Sequence, residues 1–321
     1  MYLPIFRGRQ YELLALEEEV QQNLFCNALE GSQSIIPIVE PVNLTTRLTK
    51  TIESFIKQNS QIGIIFNPKR ELASFRQDEL FTFISAIENF HDYVIPVLYM
   101  DSSCDETFSR LAELGYSKED CIALCLEQPQ ISILQEFCGK VASSFRFILV
   151  GESREFTRSI PREFGPKVIC VDRFNKQARN SDYADNLDEF FSSDHRYYEV
   201  DGFDGYSDYS IIGNDFTTSG FAPRAVAIHI VYINSGAQND LYVHHFVSDS
   251  NSDITNPAGK FQEALEKFIG WDKFNILHTR ASQCFKNLYD EGKYPGLGTI
   301  KKLSIQQHLE IVNQYFQSQR G

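Results

Sequence analysis

Apolar runs of strand length punctuate the chain: "SIIPIVEP" at 34–41, "IGIIFNP" at 62–68, "YVIPVLYM" at 93–100, "CIALCLE" at 121–127, "FRFILVGE" at 145–152, "KVICVD" at 167–172, "YSIIGND" at 209–215 and "AVAIHIVY" at 225–232. The early ones are continuous rather than alternating, the pattern of strands covered on both faces in a parallel sheet. Amphipathic segments of helical length lie between them, for example at 44–58, 76–90 and 104–115. Strand and helix thus alternate about every 25–32 residues through the first six strands, the spacing of parallel crossover units. Eight strands in succession predict an α/β fold, an eight-stranded parallel (β/α) barrel of the TIM type over about 34–234 with a helical lead-in at 1–33. The alternative is an open, doubly wound sheet. No glycine-rich phosphate loop follows the first run, where "PVNLTTR" stands, and this weakens the open-sheet nucleotide-binding classes.

The alternation breaks twice. Residues 174–208 are long, acidic and aromatic, and read either as a lid on the barrel's active face or as an irregular solvent loop. After the eighth run, "HIVYINSGAQNDLYVHHFVSD" reads as a strand, a Ser-Gly turn and a second strand. Helices are predicted at 259–270, 277–290 and 304–317, with the turn-rich "KYPGLGTI" between the last two. The expected organisation is one barrel-like domain over 1–321, with 235–321 forming the hairpin's return strand and the terminal helices.

Composition narrows the partners. With 321 residues, 42% apolar, and 26 Phe and 15 Tyr, the chain can bury a sizeable core. Forty-three acidic against thirty basic residues leave a net charge of −13, which argues against non-specific binding to nucleic acid or an anionic membrane but allows a local basic patch. The seven cysteines, at 26, 104, 121, 125, 138, 170 and 284, lack zinc-finger spacing and read as reduced thiols. No stretch reaches the roughly 18 apolar residues of a membrane span, so a cytoplasmic protein is expected.

The strand ends carry the candidate chemistry: Glu40; Asn67 with Lys69; Tyr99 with Asp101; Glu127; Glu152; Asp172 with Arg173; Asn214 with Asp215; and His229 or Tyr232. A barrel gathers such ends at one mouth, although strands also end in polar residues simply because solvent begins there. Glu127, Glu152 and Asp172 end three consecutive strands and would repel unless protonated, paired with Lys69, Arg146 or Arg173, or bridged by a hard cation, so they are the candidate Mg²⁺ ligands. "FRGRQYE" sets Arg7 and Arg9 around a glycine just before a helix, an anion-attracting arrangement that Lys69, Arg70 and Arg173 would reinforce; the plainer reading pairs Arg7 with a nearby acid. Glu40 stands before Pro41 and after Pro37, so its backbone starts nearly fixed, as either a catalytic carboxylate or a structural ion pair requires. Glu40, Glu127 and His229 are the candidate acid–base residues. His244 and His245 are adjacent, so on a strand they face opposite ways and cannot both serve one site.

"MYLPIFRGRQYELLAL" at 1–16, "IIPIVEPV" at 35–42, "HIVY" at 229–232, "HHFVSDSNSD" at 244–253 and "NPAGKFQEAL" at 256–265 resemble the bacterial proteins called the sce7725 family, relatives of the phage-associated beta protein family. The resemblance spans nearly the whole chain. It implies a barrel-like α/β protein connected with defence against phage, and no particular reaction. It puts emphasis on Arg7, Arg9, Gln10, Glu12 and Glu40 at the front and on His229, Tyr232, His245, Asp249 and Asp253 at the back. The expected function is a pocket for an anionic, phosphate-bearing small molecule or nucleotide, in a hydrolase or phosphodiesterase. A non-catalytic sensor or adaptor with a protein partner is the main alternative. A glycoside hydrolase is another, and would need two carboxylates about 5–9.5 Å apart.

Overall fold

The computed structural model describes residues 1–25, 33–215 and 223–319. Its elements run β1 (Ile5–Phe6), α1 (Gln10–Gln21), β2 (Ile38–Val39), α2 (Thr46–Lys57), β3 (Ile62–Ile65), α3 (Gln77–Ser85), α4 (Phe90–Tyr93), β4 (Val94–Tyr99), α5 (Cys104–Glu113) and β5 (Ile122–Cys125). There follow α6 (Gln128–Lys140), β6 (Phe147–Val150), α7 (Arg154–Ser159), β7 (Lys167–Cys170), β8 (Asp188–Ser192), α8 (Asp194–Tyr197) and β9 (Gly205–Ser207). The chain ends with β10 (Ala227–Asn234), β11 (Asp240–Val247), α9 (Pro257–Ile269), α10 (Arg280–Asp290) and α11 (Leu297–Ser318). It divides into two compact units, Met1–Asp172 with Asp194–Tyr209, and Arg173–Ser193 with Ser210–Gly321.

The first unit is the eight-stranded parallel barrel, in the order β1-β2-β3-β4-β5-β6-β7-β9. The helices between strands form for the expected reason. In α2 the Thr45 side chain accepts the Leu48 N–H at 3.3 Å, and Leu48, Ile52 and Phe55 bury one stripe at helical spacing. The ring joins at a seam between its first and last strands. Tyr2 bridges Tyr206, and the N–H groups of Leu3 and Ile5 donate to the carbonyls of Tyr206 and Asp208 at 2.9 and 2.8 Å. The Tyr2 and Tyr206 rings stack at 4.7 Å, and the Tyr2 hydroxyl donates to Asp208 at 2.7 Å. Gly205 permits the seam, because a Cβ there would stand 2.8 Å from the Met1 carbonyl oxygen.

The barrel is as expected, but its membership differs at both ends. The first strand lies at 5–6, inside the supposed helical lead-in, and the last is 205–207, inside the supposed loop; 210–212 is a single 3₁₀ turn rather than a strand. The 225–232 run is not a barrel strand. It belongs to the antiparallel sheet β10-β11-β8 of the second unit, in the hairpin the sequence predicts. Alternation explains this: an antiparallel sheet presents two different faces, and here Ile228, Ile230 and Tyr232 face a helical core while His229 faces the other way.

In that second unit Ile228, Ile230, Tyr232 and Phe246 pack against Phe261, Leu265 and Phe268 of α9, Phe285 of α10, and Ile300 and Leu303 of α11. Helix α11 is buried on all sides from Leu303 to Val312, so its polar residues are held by specific partners. Gln307 accepts from the Thr279 hydroxyl and donates to the Val231 carbonyl, and His308 Nδ1 lies 2.9 Å from Ser210 Oγ. No disulfide joins the described cysteines, and burial pushes Cys121, Cys125 and Cys170 up to about 12. Cys26 lies outside the described residues. No helix among the described residues is long and apolar enough to cross a membrane.

Candidate functional site

The stretch "FRGRQYE" builds the floor of the barrel's mouth. Arg7 directly follows β1, and its N–H donates to Glu12 Oε2 at 2.8 Å, the acid reaching back from the first turn of α1. Gly8 makes this turn at φ +62°, and a Cβ there would meet the Glu40 carbonyl oxygen at 3.1 Å. Glu12 thus sets a buried carboxylate in the first turn of α1, where the helix dipole favours it. Arg9 is the half-exposed N-cap residue and Gln10 is exposed.

Glu40 directly follows β2 and is fully buried. The Arg7 guanidinium donates to Glu40 Oε2, the Tyr99 hydroxyl donates to the same oxygen at 3.2 Å, and the Lys69 N–H donates to Oε1 at 3.0 Å. Arg7 also lies over the Tyr209 ring, 5.1 Å from its centroid. Burial works against the Arg7 charge, but Glu40, Tyr99 and Tyr209 together outweigh it and the Arg7 pKa is raised. Burial, then the Glu40 charge, raises the Tyr99 phenol, which stays a neutral donor. Tyr99→Phe removes that donor and should cost about 1–3 kcal/mol, read from urea unfolding; an unchanged midpoint would mean the hydroxyl carries no weight.

The same backbone segment that secures Glu40 sends the Lys69 ammonium toward solvent, over the Tyr99 ring at 5.5 Å and 3.9 Å from Glu127 Oε1. Glu127 itself is exposed at the N-cap of α6. Asn67 organises the neighbouring turn, donating to the Tyr99 carbonyl at 2.9 Å and to Asp101 and Ser103 at 3.2 Å. The structure therefore brings together Arg7, Glu12, Glu40, Lys69, Tyr99 and Glu127 from the sequence reading, and adds Tyr209.

The proposed metal ligands are not brought together. Glu127, Glu152 and Asp172 are all exposed, Glu127 faces Lys69, and among the described residues no group of three or more His, Cys, Asp or Glu side chains is placed to hold a metal ion. Mg²⁺ does not fit these three as they stand.

No family model, curated protein or solved structure matches this chain.

His229, Tyr232, His245, Asp249 and Arg173 belong to the second unit. His229 and His245 are cross-strand partners with their Nδ1 atoms 2.8 Å apart, packed against Tyr183 at 4.6 Å from each ring. Burial, then the His245 charge, lowers His229 to about 3; burial, then His244, lowers His245 to about 4. His229, expected as a general base, is in this geometry a neutral imidazole paired with another. As adjacency requires, His244 faces the opposite way, with Nδ1 3.1 Å from Asp188 Oδ1 and its ring against Trp271. The Tyr232 hydroxyl donates to Asp188 at 3.0 Å and accepts from Lys273 Nζ at 2.7 Å. Asp249 pairs with Lys267 at 2.7 Å.

Sequence reasoning missed Tyr209, Asp188, Glu189, Lys273 and Trp271. Trp271 was available as a signal, being the chain's single tryptophan.

Proposed function

We propose that the mouth of the barrel binds an anionic, phosphate-bearing small molecule or nucleotide, with Lys69 as the contacting cation. The observation that carries this reading is the division of labour at Lys69. Its backbone N–H is spent on buried Glu40, while its ammonium stands half-exposed on the Tyr99 ring at the strand ends of a TIM-like barrel, where that architecture places its chemistry. Arg7 is 4% exposed and already neutralised by Glu40, so its part is to fix the Glu40–Tyr99 floor rather than to clamp the ligand. Glu127, exposed beside Lys69, is the group available to exchange a proton with a bound ligand or its water. The resemblance to the sce7725 and beta protein families adds a setting to this reading, bacterial defence against phage.

Calorimetric titration of the full chain with inorganic phosphate, AMP and ATP tests it. Saturable binding is expected, weakened about tenfold or more by Lys69→Ala, the loss of one charge-assisted contact. No heat from any of the three, or equal affinity in Lys69→Ala, would overturn it. Binding without product formation from the nucleotides would favour the sensor or adaptor over the hydrolase.

A further inference from the structure

Pairing between β8 and β11 stops short of the end of β11. The last bond between them runs from the His245 N–H to the Leu187 carbonyl at 2.8 Å, and among the described residues nothing donates to the His245 carbonyl in return. Two residues on, the Val247 N–H points to that same open side, because N–H groups alternate along a strand and the Ser248 N–H is the one turned to the Val226 carbonyl at 2.9 Å. The Val247 carbonyl, also on the open side, accepts from Lys267 Nζ at 2.7 Å. The Val247 N–H has no partner among the described residues. His245 is 1% and Val247 3% exposed, so a buried acceptor and a buried donor are left open, which a folded chain rarely tolerates.

A cavity of about 330 Å³ runs along this edge. It touches every residue from His244 to Asp249 in succession, as a space beside a strand's edge does; a space over one face would touch alternate residues. Ala184 and Leu187 border it, and Phe246 and Trp271 give it an aromatic corner, their rings 5.5 Å apart. At its rim Lys267 pairs with Asp249 at 2.7 Å, so the two charges satisfy each other and the space favours an uncharged occupant.

We infer that a partner protein adds an extended, uncharged apolar segment to this edge, parallel to β11, with one residue opposite Phe246. In a parallel pair, the residue opposite position i donates to the carbonyl of i−1 and accepts from the N–H of i+1. Here those groups are the His245 carbonyl and the Val247 N–H, the two that stand open. The side chain of that residue shares the face of Phe246, where the Phe246–Trp271 corner receives it. Its neighbours in the segment turn to the opposite face, beside Leu187, which is 45% exposed. Lys267 on the Val247 carbonyl ends the ladder at that point, so the contact is short and the affinity modest. The site lies wholly in the second unit and does not depend on the barrel reading.

Acetyl-leucine methylamide is the smallest probe that carries the donor, the acceptor and an apolar side chain. Trp271, the chain's single tryptophan, lines the cavity, so intrinsic fluorescence of the full chain reads its occupancy. Titration should give a saturable change. Acetyl-N-methyl-leucine methylamide lacks the N–H for the His245 carbonyl and should bind about tenfold more weakly. Val247→Pro removes the open N–H without breaking a hydrogen bond of the fold, at an edge position where proline is accepted, and should cost the first probe a similar factor. Ala184→Phe, at an exposed lining position, fills the space and should also weaken binding about tenfold or more. Lys69→Ala should leave it unaltered, which keeps a failure here distinct from a failure at the barrel. A non-saturable response, equal binding of the N-methylated probe, or affinity unchanged in Ala184→Phe would overturn the assignment. So would a dimer in sedimentation that Ala184→Phe abolishes, since the edge would then belong to a second copy of this chain. If Val247→Pro does not fold, the N-methylated probe decides.

Discussion

Arg7→Met should destabilise the first unit by about 3–5 kcal/mol, because it leaves Glu40 as a buried carboxylate without its cation. The Tyr99 hydroxyl and the Lys69 N–H remain as donors, but neither carries the charge that offsets desolvation. The double variant Arg7→Met with Glu40→Leu should recover most of the loss, since no ion is then left in the interior. Urea unfolding of the three proteins checks this. A single variant within about 1 kcal/mol of the parent would place the pair among ordinary solvent-screened bridges and remove the reason for treating it as the fixed floor of a site.

Acidification from pH 7 to pH 5 should weaken the second unit by roughly 2–4 kcal/mol through His229 and His245. Their folded pKa values, about 3 and about 4, lie below the ordinary value of 6.5. The unfolded chain therefore takes up two protons as the pH falls through 6.5 while the folded chain takes up almost none. The contribution is fully present above about 6.5 and is lost toward the folded values, at up to about 1.4 kcal/mol per pH unit for each ring. The groups around the pair are Glu189 from β8 and Tyr183, with Asp188 and His244 acting on His245; of these Asp188 opposes the His245 shift without cancelling it. Trp271 fluorescence during unfolding follows this unit, and His229→Gln should roughly halve the slope. Flat stability between pH 7 and pH 5 would mean that the rings protonate freely in the fold.

The continuous apolar runs were enough to read a barrel, because a strand covered on both faces has no polar positions to alternate. The misplaced ends have particular causes. "LPIF" at 3–6 has the same apolar-Pro-apolar form as "IPIV" at 36–39 and "IPVL" at 95–98, which are strands, but it is short and runs straight into a helix. Each proline still accepts in the ladder, as when Ile38 donates to Pro4 and Gly63 to Pro37. "AIHIVYIN" alternates and so belonged to a two-faced antiparallel sheet, a signal outweighed by the count of eight. At the site, Glu40 was legible from its flanking prolines and Arg7 from its glycine turn, since both are set by local backbone chemistry. The His229–His245 pairing was not, because it depends on a hairpin register that the sequence leaves open.

The seam between the first and last barrel strands also sets a clock on biosynthesis. The Tyr2–Asp208 contact joins residues 206 positions apart. At translation rates of about 5–20 residues per second, the leading apolar strand waits roughly 10–40 s for its partner to be made. Through that interval β1 and β2 can pair with each other while the outer edge of "YLPIF" stays open. A ribosome-bound chain should therefore be most dependent on chaperones just before Gly205 emerges, and a translational pause ahead of that codon would lengthen the exposure.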